Sequence, residues 1–207
     1  VFLPIICFFA LQGDETKLLS EGSGAQAIEH QLHCGLWRVD GGFVSTIRIK
    51  NSLIVAPLEV RAVLYMADGT AYPLPAVHLP ISGVATVNVN AALAAAPPQI
   101  AGHLSTHGSA AVFYTYPTPG HLLGSIEVLD LAGSLIFTYP FIGGIEGEAG
   151  PQTIDGLWWR HDPGVGGFVS LANTTAEPIE VSLQVSGSSG RPQPAVGVQL
   201  LPHGSSL

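Results

Sequence analysis

The chain has 207 residues, 47% of them hydrophobic and only 11% charged, with 25 Gly and 16 Pro. That profile excludes a disordered chain, which needs low hydrophobicity and high charge, and a long helical bundle, which needs Glu, Lys and Leu at helical spacing and little Gly or Pro. Seven basic against fifteen acidic residues leave a formal charge of −8, the opposite of the basic surface that nucleic acid requires.

Residues Val1 to Leu11 form an unbroken apolar run. It is shorter than the roughly 20 residues of a spanning helix and matches the apolar stretch of a secretory leader, with polarity returning at Gln12-Gly13-Asp14-Glu15. Residues 1–13 are read as a truncated signal-peptide-like or anchor segment, because the usual Met and basic residues do not precede the run; a buried strand is the competing reading. Export rests on this segment alone. Without it Cys34 is the remaining cysteine, so no disulfide framework is expected.

Residues 14–34 read as a polar lead-in. His30, His33 and Cys34 are the densest group of potential metal ligands there, but three groups fall short of the four of a structural zinc site. From Phe43 the period is two: Phe43, Ser45, Ile47 and Ile49 share one face, Val44, Thr46, Arg48 and Lys50 the other. Leu58 to Met66 alternates likewise, with Glu59 and Arg61 opposite the apolar side. Ala67-Asp68-Gly69-Thr70 predicts a hairpin turn. Further strands are expected over 85–90, 109–116, 122–129 and 134–141. One short Ala-rich helix is expected at 91–96, capped by Asn90 and ended by Pro97-Pro98.

An internal repeat organises the whole. Gly35-Leu36-Trp37-Arg38 and Gly41-Gly42-Phe43-Val44-Ser45 return as Gly156-Leu157-Trp158-Trp159-Arg160 and Gly166-Gly167-Phe168-Val169-Ser170. Asn51 matches Asn173, Pro57-Leu58-Glu59-Val60 matches Pro178-Ile179-Glu180-Val181, Gly69 matches Gly190, Leu79-Pro80 matches Leu201-Pro202, and Gly83 matches Gly204. Copy one therefore covers 35–144, residues 145–155 read as a Gly-rich linker, and copy two covers 156–207, incomplete at its C-terminal end. Short strands with frequent turns point to a β-sandwich of immunoglobulin-like size, a closed barrel being the alternative. The fold class is all-β, two tandem immunoglobulin-like β-sandwiches, the second incomplete, with one short helix in the first.

The order of these motifs resembles tandem immunoglobulin-like β-sandwich modules of secreted or surface bacterial proteins, acidobacterial ones in particular. The resemblance covers about 35–207 and implies an exported protein of several modules. It brings no catalytic residues.

No nucleophile motif stands out. There is no Gly-x-Ser-x-Gly elbow, and His103 and His107 have helical ligand spacing but lack the adjoining Glu of a zinc protease. Asn173-Thr174-Thr175 fits a glycosylation sequon. Trp37, Trp158 and Trp159 open the copies, and a Trp at a repeated position is most simply a packing residue. The candidate ligand-binding residues are Trp158, Trp159, Tyr114 and Tyr116, whose rings could stack on sugars or anchor an interface.

The expectation is a non-enzymatic, exported structural or adhesive protein of tandem modules at the cell surface or outside the cell. No metal or cofactor is expected. Partners would be surface glycans or other cell-surface proteins and not nucleic acid, with membrane contact only through the N-terminal segment if it is uncleaved. The alternative is a carbohydrate-binding accessory module of a larger secreted enzyme.

Overall fold

The computed structural model describes residues 5–6, 27–131, 135–143, 168–186 and 189–207. In chain order the elements are β1 (Ile5–Ile6), β2 (Ile28–Arg38), β3 (Phe43–Asn51), β4 (Leu58–Met66), β5 (Ala71–Pro73), β6 (Val77–Leu79), β7 (Val84–Asn88), α1 (Val89–Ala94), α2 (Pro98–Ala101), β8 (His107–Tyr116), β9 (Leu122–Asp130) and β10 (Leu135–Pro140). β11 (Ile142–Gly143), β12 (Val169–Ala172), β13 (Ile179–Leu183), β14 (Val196–Leu200) and β15 (Ser205–Ser206) follow. The chain is mostly β.

Two antiparallel sheets make up the first half. One has the order β10-β9-β3-β7, the other β11-β2-β8-β4-β5 with β6 also on β4. The alternation of β3 holds: Ser45, Ile47, Ile49 and Asn51 are buried, Arg48 and Lys50 exposed. On β4, Leu58, Val60, Ala62, Leu64 and Met66 point into the core while Glu59 and Arg61 face solvent. These rows meet Trp37, Val112, Ile126 and Tyr139 in one shared core, where each large apolar side chain contributes roughly 1.5–3 kcal/mol. β2 and β3 do not form a hairpin; they lie in opposite sheets, joined through Gly41 and Gly42 at φ 58° and 89°.

Three expectations are corrected. The stretch read as a polar lead-in becomes strand from Ile28 onward. A bulge between Cys34 and Trp37 shifts the β2–β8 register, which breaks the period-two signal and buries Cys34, Leu36 and Trp37 together. The helix starts earlier, at Val89, and its cap is Asn88, whose Oδ1 accepts from the Ala91 N–H at 2.9 Å. Asn90 instead ties α1 to β3, accepting from the Ser45 N–H at 3.0 Å and donating to the Phe43 carbonyl at 3.2 Å. The helix does stop ahead of Pro97-Pro98, at Ala94, but it is not alone: Pro98 opens a second short helix, α2, where a first-turn proline loses no helical hydrogen bond.

The Asp-Gly hairpin forms as expected. The Met66 N–H donates to the Thr70 carbonyl and the Gly69 N–H to the Met66 carbonyl, both at 2.9 Å, and Gly69 takes φ 86°, which only glycine adopts freely.

One arrangement recurs in both copies. Asn51 is fully buried at the end of β3. Its Oδ1 accepts from the Leu53 N–H (2.9 Å), and its Nδ2 donates to the carbonyls of Ala56 (2.9 Å), Pro80 (3.1 Å) and Leu79 (3.5 Å). Its own N–H donates to the Gly83 carbonyl at 2.9 Å. Asn173 does the same after β12. It accepts from the Thr175 N–H (2.9 Å) and donates to the carbonyls of Glu177 (2.7 Å) and Leu201 (2.9 Å), while its N–H reaches the Gly204 carbonyl (2.9 Å). Ser82 and His203, one residue before Gly83 and Gly204, are the described non-glycine residues with positive φ, at 55° and 56°. Leu58 pairs with Leu79 on β6, and Ile179 pairs with Leu200 on β14. That register aligns Leu79 with Leu200, one position from the match to Leu201 that the Leu-Pro dipeptide proposes.

β12 lies between β15 and β1 as β3 lies between β7 and β9, so Ile5–Ile6 takes the side of β12 that β9 takes on β3, pairing in parallel with Val169 and Ser170. Leu171, Val181 and Leu200 form a small core of their own.

Candidate functional site

Of the four candidate ligand-binding residues, Trp158 and Trp159 lie outside the described residues, as does the linker. The other two do not form an exposed pair. Tyr114 points inward from β8, 2% exposed, because the strand alternation places it with Ala110 and Val112 in the core. Its hydroxyl accepts from the N–H groups of Gly120 (3.0 Å) and His121 (3.4 Å), pinning the turn between β8 and β9. Tyr116 is half-buried and meets the His121 ring edge-on, centroids 4.7 Å apart. Tyr114→Phe is therefore expected to lower stability by about 1–2 kcal/mol, since it leaves two turn N–H groups without their acceptor. Urea unfolding measures this, and an unchanged midpoint would contradict it.

The potential metal ligands separate in the same way. His30 bonds the Tyr116 carbonyl at 2.9 Å. Cys34 is core, and burial pushes its thiol up to about 12, which makes it a poor nucleophile. His103 bonds Asp68 at 2.9 Å in the turn before β8, while His107 belongs to β8 itself. Among the described residues no three His, Cys, Asp or Glu side chains group where an ion could be held. No described helix is long and apolar enough to cross a membrane. The sequon asparagine is corrected too: Asn173 is 1% exposed and its amide is engaged in the lock, so the folded chain cannot present it.

What the structure does bring together is a joint between the two-sheet first half and the described residues from Phe168 onward. On one side, Arg38 at the end of β2 lays its guanidinium over Phe43 at 4.3 Å and reaches Phe168 at 5.5 Å. Those two rings occupy matching positions of the two copies. Asp40 holds the guanidinium in place, and that bond keeps its carboxyl below the usual carboxylate range. Ser170 Oγ donates to the Gly35 carbonyl at 3.0 Å. On the other side, the loop beside the Asn173 lock sits on the Asp-Gly turn of copy one. The Ser205 N–H donates to the Ala67 carbonyl at 3.0 Å, and the His203 ring stacks on Tyr65 with centroids 4.7 Å apart and planes 19° from parallel. Gly69 is so closely covered that a Cβ on it would lie 2.0 Å from the Pro202 carbonyl oxygen.

Two histidines meet at this joint. Burial, and secondly the charge of His203, lowers His33 from 6.5 to about 4; burial also lowers His203. A base with a depressed native pKa stays neutral in the fold while the unfolded chain takes up its proton. Stability is therefore complete above about pH 6.5 and falls as the pH drops toward 4, by about 1.4 kcal/mol per unit for one fully coupled group. The chain should lose stability between pH 7 and pH 5, and His33→Gln should reduce that loss by roughly 1–2 kcal/mol. Equal pH slopes for parent and variant in urea titrations would contradict the assignment.

Where β2 and β4 begin and β8 ends, Glu29, Glu59, Arg61, Phe113, Tyr114 and Thr115 line an open groove of about 280 Å3. Arg61 bonds Glu29 at 2.7 Å and lies 5.2 Å over the Phe113 ring. The cation and the aromatic face are thus occupied by one another. The groove offers the Glu59 carboxylate and the Thr115 hydroxyl to polar groups, with no paired nucleophile and base among its lining residues.

The sequence marked Asn51 and Asn173 as repeat positions without revealing their role. The readable signal is an Asn at the end of a strand, six residues before Pro57 in one case and five before Pro178 in the other. Arg38 is likewise followed by Phe43 as Arg160 is by Phe168. No known protein family, no curated protein and no solved structure matches the chain.

Proposed function

We propose that the chain is a non-enzymatic structural or adhesive protein, built of tandem immunoglobulin-like β-sandwich modules and working at the cell surface or outside the cell. The observation that carries this reading is the repetition of the asparagine lock, together with the use of the second lock's loop to seat one copy on the other. A sequence that spends its matched residues on a lock and a joint specifies the spacing and orientation of modules. The apolar segment 1–13 is what supports export. The two facing sheets, which share one core, support the sandwich.

Incubation of the full chain with polysaccharide and peptide panels tests the reading, with no turnover expected. Reproducible hydrolysis that survives repurification would overturn it. Retention on a glycan array, lost in Trp159→Ala, would replace it with the carbohydrate-binding alternative. On intact producing cells the chain should be cut by added protease, and full protection would remove the surface location.

A further inference from the structure

We propose that the chain associates head to tail with a second copy of itself, the 80–83 loop of one molecule seating on the Gly190 turn of the next. This rests on the tandem-module reading and extends the joint from within one chain to between two.

The internal joint is the template. There a loop beside an asparagine lock, Leu201 to Gly204, seats on a left-handed glycine turn, with the Pro202 carbonyl against Gly69. Each half of that joint has a counterpart that no described residue covers. The counterpart of the loop is Pro80 to Gly83. It has the same geometry: the Gly83 N–H donates to the Pro80 carbonyl at 2.8 Å as the Gly204 N–H does to the Leu201 carbonyl at 2.9 Å. Ser82 and His203 share the positive φ. Ile81 stands where Pro202 stands in copy two and is 51% exposed. The counterpart of Gly69 is Gly190, with φ 72° against 86°, and no atom of the described residues lies within 4 Å of the place a Cβ would take. A carbonyl can therefore approach Gly190 as closely as one approaches Gly69.

The free loop also carries the surface of a contact. The Ser82 N–H donates to the Leu53 carbonyl at 3.0 Å, which holds the 80–83 loop against the 52–57 loop. Ile54 at 80% and Val55 at 70% exposure then stand beside Ile81, with Val84 at 63%. Single exposed aliphatic residues are ordinary, but four at one end of a sandwich form a patch that marks an interaction surface. A loop on a turn is a heterologous contact. It cannot be satisfied by two-fold pairing, so a free loop at one end and a free turn at the other join molecules in a row.

Sedimentation velocity on the full chain from about 1 to about 100 µM, the range of weak contacts, should show the average mass rising with concentration. Ile54→Asp and Ile81→Asp, both at exposed positions, should each weaken association by about tenfold or more. In a Cys7→Ser background, with Cys34 buried, a mixture of Ile81→Cys and Arg191→Cys molecules should give a mixed disulfide that neither gives alone. A mass independent of concentration, or a disulfide-linked dimer from Ile81→Cys alone, would overturn the proposal. Exchange of the Ser205 amide separates loss of self-association from loss of the internal joint. A monomer with Ser205 protected overturns only self-association, whereas an unprotected Ser205 in the parent removes the joint and the template with it.

Discussion

Asn51→Ala should lower the unfolding free energy by about 3–4 kcal/mol, one of the two largest effects expected of a single substitution in this chain. The side chain is fully buried and makes one bond as acceptor and three as donor, to Leu53, Ala56, Pro80 and Leu79. Alanine removes all of these while leaving the Leu53 N–H and the carbonyls inside the fold. A buried polar group left without a partner costs about 1–3 kcal/mol. Asn51→Asp tests the same geometry from the other side: it keeps the acceptor for Leu53 but turns a carboxylate oxygen toward the carbonyls that the amide had bonded. It should be no more stable than alanine at neutral pH. Asn173→Ala should instead act on the second copy, loosening β13 and β14 while leaving the two-sheet core of the first intact. Urea unfolding followed by tryptophan fluorescence reads the first effect, and amide exchange at Val181 and Val198 the second. A loss below 1 kcal/mol for Asn51→Ala would mean that the loops hold without the lock.

Gly69→Ala should unseat the second copy. Two costs add at this position. Any L side chain pays about 1–2 kcal/mol at a left-handed φ, and a Cβ here would lie 2.0 Å from the Pro202 carbonyl oxygen and 3.3 Å from the Gly204 nitrogen. Both are backbone atoms held by the Asn173 lock, so they cannot turn aside as a flexible side chain would. Gly190→Ala is the matched control, with a similar φ and open space around it; within a single molecule it should show only the conformational cost. The difference between the two variants isolates the joint. It should appear as loss of protection at the Ser205 amide in Gly69→Ala alone. Equal behaviour of both variants would show that the loop does not press on the turn.

The parts of the fold legible in the sequence are those where one local rule decides. β3 and β4 alternate because one face of each is core, and the Asp-Gly turn between β4 and β5 has the left-handed glycine that a tight hairpin needs. β2 was not legible in its first half. Its bulge puts Leu36 and Trp37 side by side in the core, and its N-terminal part mixes Glu29, His30, Gln31 and His33 with few apolar residues. The helix cap was misplaced by two residues because Asn88 and Asn90 are equally good caps in isolation. The choice is made by β3, whose Ser45 N–H and Phe43 carbonyl engage Asn90. Tyr114 shows the limit of reading aromatics from sequence. Its neighbours Phe113 and Thr115 face outward, and only the pairing with β4 tells which side is core. The joint was least legible, because it depends on two distant segments, around Gly69 and around Pro202, that no spacing rule connects.

Seating of the 201–204 loop on the Asp-Gly turn is read by a through-space NMR measurement on the full chain, between the ring protons of Tyr65 and those of His203. The stacked arrangement at 4.7 Å predicts strong cross-peaks, present in the parent and lost in Gly69→Ala. Their absence in a parent whose β3 and β4 amides are fully protected would mean a folded two-sheet core on which the 201–204 loop is not seated.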